Sequence, residues 1–355
     1  MKTFHNPVHA GHSARQEMFL GRMVPSHEIP ARVEYVLDEL RRRPLGELLL
    51  PGIDDAVLGR ALLRVHDGAY LEFLQQAWQD WIALDPGNAQ RDALPNAWPL
   101  ARRHGFRADA PTRHVVARLG QHAFDAGTPL TAGSWTAARG AAACALAAAQ
   151  ALLAGERAAF ALTRPPGHHA GPDYFGGYCF LNHAALAAQA LRDGGCSRVA
   201  VLDVDYHHGN GTQTVFYERS DVLTLSLHGD PTTEYPYFLG FADERGAGPG
   251  EGFNLNLPLP RGSDFKVWSA ALERALREVR DFGAEALVVP MGLDTFAGDP
   301  IGSFELQSSH YEQVGRWLAG AGLPTLFTFE GGYAVAELGV NAVNLLQGFE
   351  ALAGG

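Results

Sequence analysis

Arg198-Val199-Ala200-Val201-Leu202-Asp203-Val204-Asp205-Tyr206-His207-His208-Gly209-Asn210-Gly211 decides the fold. Residues 198–202 form a short, largely apolar run of the kind a strand buried on both faces requires. Two aspartates, a tyrosine, two histidines and two glycines follow at once. The same change recurs along the chain. Ala158–Leu162 leads to Arg164-Pro165-Pro166-Gly167-His168-His169, and Val222–Leu227 leads to His228-Gly229-Asp230. Ala286–Val289 leads to Met291-Gly292-Leu293-Asp294, and Thr325–Phe329 leads to Glu330-Gly331-Gly332-Tyr333. Helical stretches stand around and between these runs: Trp135–Leu153, His183–Arg192, Phe265–Phe282, His310–Ala319 and Ala336–Leu352. Apolar strands alternating with helices predict an α/β fold, a central parallel sheet flanked by helices on both faces. Ligands bind at the carboxyl ends of strands in such sheets, so the five polar ends should converge on one site. The amino-terminal third, rich in Pro, Arg and His, reads as irregular. No internal repeat and no low-complexity linker divides the chain.

Composition narrows the function classes. The 355 residues carry 28 Lys+Arg against 39 Asp+Glu, a net charge of −11, with 46% hydrophobic and 19% charged residues. That balance excludes a mainly disordered chain. It also disfavours a protein that grips nucleic acid through phosphates, the more so because lysine occurs only at Lys2 and Lys266. Three cysteines, Cys144, Cys179 and Cys196, suit small core positions in a reducing compartment better than a disulfide framework. The first residues lack the apolar run of a signal peptide, and the alanine-rich 140–155 stretch reads as a buried helix, not a membrane span. The expectation is a cytoplasmic protein acting on a small molecule.

Three motifs carry chemistry. Asp205 and His207 are two residues apart and would face the same way in extended backbone. A carboxylate and an imidazole together suit a divalent metal such as zinc, with Asp294 a candidate third ligand. Three protein ligands would leave a position open for water and substrate. His168-His169 follows a rigid Pro-Pro-Gly turn, and imidazole titrates where a proton shuttle at neutral pH requires. Asp203 and Asn210 are available to orient the two rings. In Glu330-Gly331-Gly332-Tyr333 the glycines allow close backbone approach, and the phenol could donate to a developing oxyanion. Each motif alone is more often a solvated pair, a capped loop or a packing tyrosine. Six histidines between His168 and His228, with acids at strand ends, weaken that reading. No phosphate-cradling G-x-x-x-x-G-K-[ST] and no G-x-S-x-G elbow is present.

Taken together, the three motifs resemble the signatures of the histone deacetylase superfamily, and in the same order. Within it the sequence is most similar to the acetylpolyamine amidohydrolases. Further stretches extend the likeness: Phe175-Gly176-Gly177-Tyr178-Cys179-Phe180-Leu181-Asn182, Tyr237-Phe238-Leu239-Gly240, Asp299-Pro300-Ile301 and Val65-His66-Asp67-Gly68. The resemblance implies one arginase/deacetylase-like catalytic domain over residues 1–355. Asp205, His207 and Asp294 would bind Zn2+. His169, beside Asn210, would be the general base, His168, beside Asp203, its electrostatic partner, and Tyr333 the oxyanion donor. Gly177, Tyr178, Tyr235, Ile301 and Gly331 would contact substrate. A structural K+ would sit at Asp203, Asp205, His207, Ser226 and Leu227, and a second near Phe216, Arg219 and Val222. A region at about 84–132 would narrow the mouth and contact a second copy in a homodimer.

The implied reaction is release of acetate from N-acetylated linear amines, foremost acetylpolyamines. Acidic residues that attract polyamines in some members are absent here, their positions falling at Val116 and Gly127. Residues 91–125 hold six arginines (91, 102, 103, 107, 113, 118) against Asp92, Asp109 and Asp125. Asp125, Asp109 or Glu17 could substitute. The rivals are a protein acetyl-lysine deacetylase, a non-catalytic binding relative, and a two-metal ureohydrolase, whose extended ligand motif would need residues other than Tyr206 and His208.

Overall fold

The structure, a computed structural model, describes residues 1–96 and 112–353. Among the described residues there are ten strands: β1 Lys2–His5, β2 Gln16–Phe19, β3 Arg22–Pro25, β4 Leu48–Leu49, β5 Ala158–Leu162, β6 Val199–Asp203, β7 Val222–Gly229, β8 Asn254–Leu259, β9 Ala286–Met291 and β10 Thr325–Phe329. Eight of them form one parallel sheet in the order β4-β1-β5-β10-β9-β6-β7-β8, and β2 and β3 form a separate hairpin. The strands read from sequence all occur, and the expected sheet is found. β5, β6, β7, β9 and β10 are buried along their whole length, as apolar runs covered on both faces must be.

Alternate residues serve opposite faces. Ala159, Ala161, Val199 and Val201 face the helices Ser134–Leu153 and His183–Asp193. Phe160, Leu162, Ala200 and Leu202 face the helices Ala31–Arg42, Phe265–Phe282, Ser308–Ala319 and Val335–Ala353. Ser134–Leu153 is long and apolar enough to cross a membrane, but 72% of its most apolar window is buried in the fold. Its alanines let it lie close against the sheet. Local signals set the boundaries. Asn182 accepts from the Ala185 amide at 2.8 Å to cap one helix, and Asp264 accepts from Val267 at 2.9 Å to cap another. Gly283 closes Phe265–Phe282 in the left-handed conformation, φ +71°.

The amino-terminal third is not irregular. It supplies β1, paired to both β4 and β5, and the helices Ala31–Arg42, Asp55–Leu62 and Gly68–Leu84. β1 is only Lys-Thr-Phe-His, too short and polar to show a period. β8 also escaped the pattern. Its Asn254 and Asn256 point inward and both donate to Gln213, and Pro258 is tolerated because the strand lies at a sheet edge.

The helices Ser308–Ala319 and Val335–Ala353 meet where neither has a side chain. A Cβ on Gly315 would overlap the Leu345 carbonyl, and one on Gly348 would overlap the Glu312 carbonyl. Gly315→Ala should therefore lower stability by about 1–3 kcal/mol despite alanine's better helix propensity. Urea unfolding checks this, and an unchanged or raised midpoint would contradict the packing argument.

Candidate active site

Four of the five strand ends converge, those after β5, β6, β9 and β10. After β7, His228 is taken up by Ser226 and the Gly240 carbonyl, each at 2.8 Å, and does not reach the cavity. After β5 the chain turns through Pro165-Pro166-Gly167 into the histidine pair. Glu330, just beyond β10, fixes this turn: its Oε2 accepts from the Gly167 and His168 amides at 2.6 and 3.1 Å. Burial lifts the Glu330 carboxyl to about 7. His168 Nδ1 lies 2.9 Å from Asp203 Oδ2, and His169 Nδ1 lies 2.7 Å from Asn210 Oδ1. The two rings stand 4.0 Å apart. Burial lowers His168, but the Asp205 and Asp203 carboxylates outweigh it and raise the imidazole to about 10. His169, buried and facing the His168 and His207 charges, is lowered.

Past β6 the backbone bends instead of staying extended. The Asp205 amide donates to Asp203 Oδ1 at 3.1 Å, and the His207 amide donates to Asp205 Oδ1 at 2.8 Å. These side-chain turns, not strand alternation, bring Asp205 and His207 together. The Tyr206 amide donates to Asp294 Oδ1 at 2.8 Å, and Gly331 N donates to Asp205 Oδ2 at 2.8 Å. Ligand atoms of Asp205, His207 and Asp294 lie within 4.8 Å of one another. Burial and the Asp205 charge push Asp294 up to about 7. Burial also raises Asp205, but the His168 and His207 cations carry it below the usual range. Two fully buried carboxylates and an imidazole, aimed at one point and held from outside by amides, fit a divalent cation. A second triplet, His168, Cys179 and Glu330, is as close together. It fits a metal poorly, because burial pushes the Cys179 thiol well above its ordinary value and His168 is committed to Asp203.

Above the cluster opens a cavity of about 500 Å³. His168, His169 and His207 form its floor, and Gly177, Tyr178, Tyr235, Ile301 and Tyr333 line it. Gly177 has φ +53°, and a Cβ there would enter the His169 ring. Tyr178 is also left-handed, φ +65°, and its hydroxyl donates to Glu17 Oε1 at 2.8 Å. Among the described residues the Tyr333 hydroxyl has no hydrogen-bond partner in the protein. Burial raises that phenol well above 10, so it remains a donor.

Not every expected residue lies where the sequence suggested. Gly331 sits outside the cavity lining, against the Asp205 and Asp294 carboxylates. Glu17 is buried and occupied by Tyr178 and His27, so it is not free for a substrate. Of the expected gate arginines, Arg118 reaches back to Asp80 and covers the Phe73 ring, and Arg91 lies 3.9 Å from Asp85. Arg102, Arg103, Arg107 and Asp109 lie outside the described residues. Among the described residues the arginine that borders the cavity is Arg261, paired with Glu234 at 2.9 Å. Asp203 and Ser226 stand side by side on β6 and β7 and line a small cavity of about 10 Å³.

Two further contributors were given no role from the sequence. Arg32 is fully buried; it donates to the Gly332 carbonyl at 2.7 Å and to the Glu330 carbonyl, and lies 4.7 Å over the Tyr333 ring. Asp299 Oδ2 accepts from the Tyr333 amide at 2.6 Å, and its Oδ1 accepts from Ile301 N at 3.0 Å. Only the aspartate-proline step before Ile301 hinted at that turn.

Residues 26–349 match the histone deacetylase domain. Acetylpolyamine amidohydrolase 2 of Pseudomonas aeruginosa is 49% identical over 99% of both chains. Acetylpolyamine amidohydrolase of Mycoplana ramosa is 43% identical over 98% of this chain and 99% of its own. The crystal structure of the Burkholderia pseudomallei acetylpolyamine aminohydrolase superposes with a TM-score of 0.92 at 40% identity, covering 99% of each chain. Fold, site and these likenesses define a hydrolytic deacetylase. The chain belongs to the histone deacetylase family.

Proposed function

We propose that the protein is a zinc-dependent amidohydrolase that releases acetate from N-acetylated linear amines, acetylpolyamines foremost. The observation that carries this is the tyrosine-walled cavity ending on Asp205, His207, Asp294 and the histidine pair. Held by Asp205, His207 and Asp294, zinc would polarise the acetyl carbonyl and lower the pKa of water so that it gives up a proton readily as it attacks. Asn210 accepts at His169 Nδ1 and so leaves Nε2 free to take the water's proton and pass it to the departing amine. His168, cationic beside Asp203, stabilises negative charge developing over the floor. Tyr333 donates to the former carbonyl oxygen as it becomes anionic. Atoms balance as amide plus water giving acetate plus amine.

Residues 1–355 would act as one catalytic domain, with the region at about 84–132 near the mouth and at a homodimer contact. A structural K+ would be held by Asp203, Asp205, His207, Ser226 and Leu227, and a second near Phe216, Arg219 and Val222. We place the protein in the cytoplasm, without nucleic-acid or membrane partners. The named relatives favour a free amine over a protein. Acetylputrescine, acetylspermidine and an acetyl-lysine peptide assayed side by side test this. Higher kcat/KM on the two amines is expected, and a preference for the peptide would overturn it.

A further inference from the structure

Asp125 lies in the 123–130 segment between the helices Val115–His122 and Ser134–Leu153, at the border of the cavity. Its side chain joins three separate stretches of wall. Oδ1 accepts from the Gly127 and Thr128 amides, both at 3.1 Å, fixing its own loop. Oδ2 accepts from Gly177 N and from the Tyr235 hydroxyl, each at 2.7 Å, and from Thr128 Oγ1 at 3.3 Å. Thr128 Oγ1 in turn accepts from the Tyr178 amide at 3.0 Å. A carboxylate has about four acceptor sites, and these five donors fill them, so Asp125 has none left for a substrate ammonium. Tyr235, tethered at its hydroxyl, sets its ring edge-on to His169 at 5.2 Å and to His207 at 5.9 Å. Burial and the Asp125 charge keep that phenol protonated and donating.

We propose that Asp125 is a positioning residue that sets the bore of the channel by holding Tyr235 and the Gly177–Tyr178 turn at a fixed separation, so that slim, unbranched amines are selected. This rests on the amidohydrolase reading. Asn is nearly isosteric, but its amide must turn N–H groups either toward Gly177 or toward Gly127 and Thr128. One side of the clamp is then lost.

In the zinc-loaded Asp125→Asn variant, kcat/KM should fall about tenfold, mostly through KM, for N-acetylputrescine and equally for its uncharged counterpart N-butylacetamide. Turnover of the wider N-cyclohexylacetamide should fall less, so the linear-to-branched ratio drops. An unchanged ratio overturns the clamp. A loss confined to N-acetylputrescine also overturns it, since that outcome means direct recognition of charge. If the parent protein hydrolyses no linear amide, the amidohydrolase reading fails. The clamp is then tested by the Kd ratio of hexanohydroxamate to cyclohexanecarbohydroxamate, expected to move toward the ring compound in the variant; an unmoved ratio overturns it. Should Asp125→Asn not fold, Tyr235→Phe cuts one arm of the same clamp and must shift the same ratios.

Discussion

Asp205→Asn should leave a folded protein that holds no zinc and releases no measurable acetate. Asp205 offers its two oxygens to opposite sides, Oδ1 to the His207 amide and Oδ2 to the Gly331 amide, each at 2.8 Å. It also supplies negative charge to His168 and His207. Asn removes the charge and turns an N–H pair toward one of those amides. A buried donor left facing a donor costs about 1–3 kcal/mol, which a fold of this size tolerates. Metal affinity suffers far more, because one of two anionic ligands is gone and the other two are no longer aligned. Metal analysis of the purified variant and acetate release report the two effects separately. A variant that retains about one zinc per chain and near-normal turnover would contradict the assignment of Asp205.

Tyr333→Phe should reduce kcat by about 10²–10³-fold with little change in KM, the size expected for removing one oxyanion donor. The ring's surroundings do not depend on the hydroxyl. Arg32 lies over its face, the Tyr178 ring stands 5.6 Å away, and its amide is held by Asp299. The fold and zinc content should therefore survive. Loss of kcat without loss of zinc separates this variant from Asp205→Asn. Turnover within about threefold of the parent would remove Tyr333 from the chemistry.

The difference between what could and could not be read from the sequence is physical. β6 and the residues after it were legible because buried strands need unbroken apolar runs and the polar cluster begins where the run stops. The helix Phe265–Phe282 carries both an amphipathic period and an Asp264 cap, and its bounds were readable to the residue. β1 was not, since four residues cannot display a period. Arg32 reaches Glu330 and Gly332, about three hundred residues away, and no local pattern encodes such a contact. Asp205 and His207 were paired for the wrong reason. Spacing suggested extended backbone, whereas aspartate side chains capturing nearby amides produce the bend. Of the expected gate arginines, Arg118 turns back onto the Gly68–Leu84 helix, a reach that side-chain length allows and sequence spacing does not display.

Zinc dependence of the hydrolysis is tested by acetate release from N-acetylputrescine by protein stripped of metal and then titrated with zinc. No turnover is expected after chelation, and full recovery at about one zinc per chain. Undiminished hydrolysis by the stripped protein, recovery that needs two ions per chain, or no acetate at any loading would contradict it.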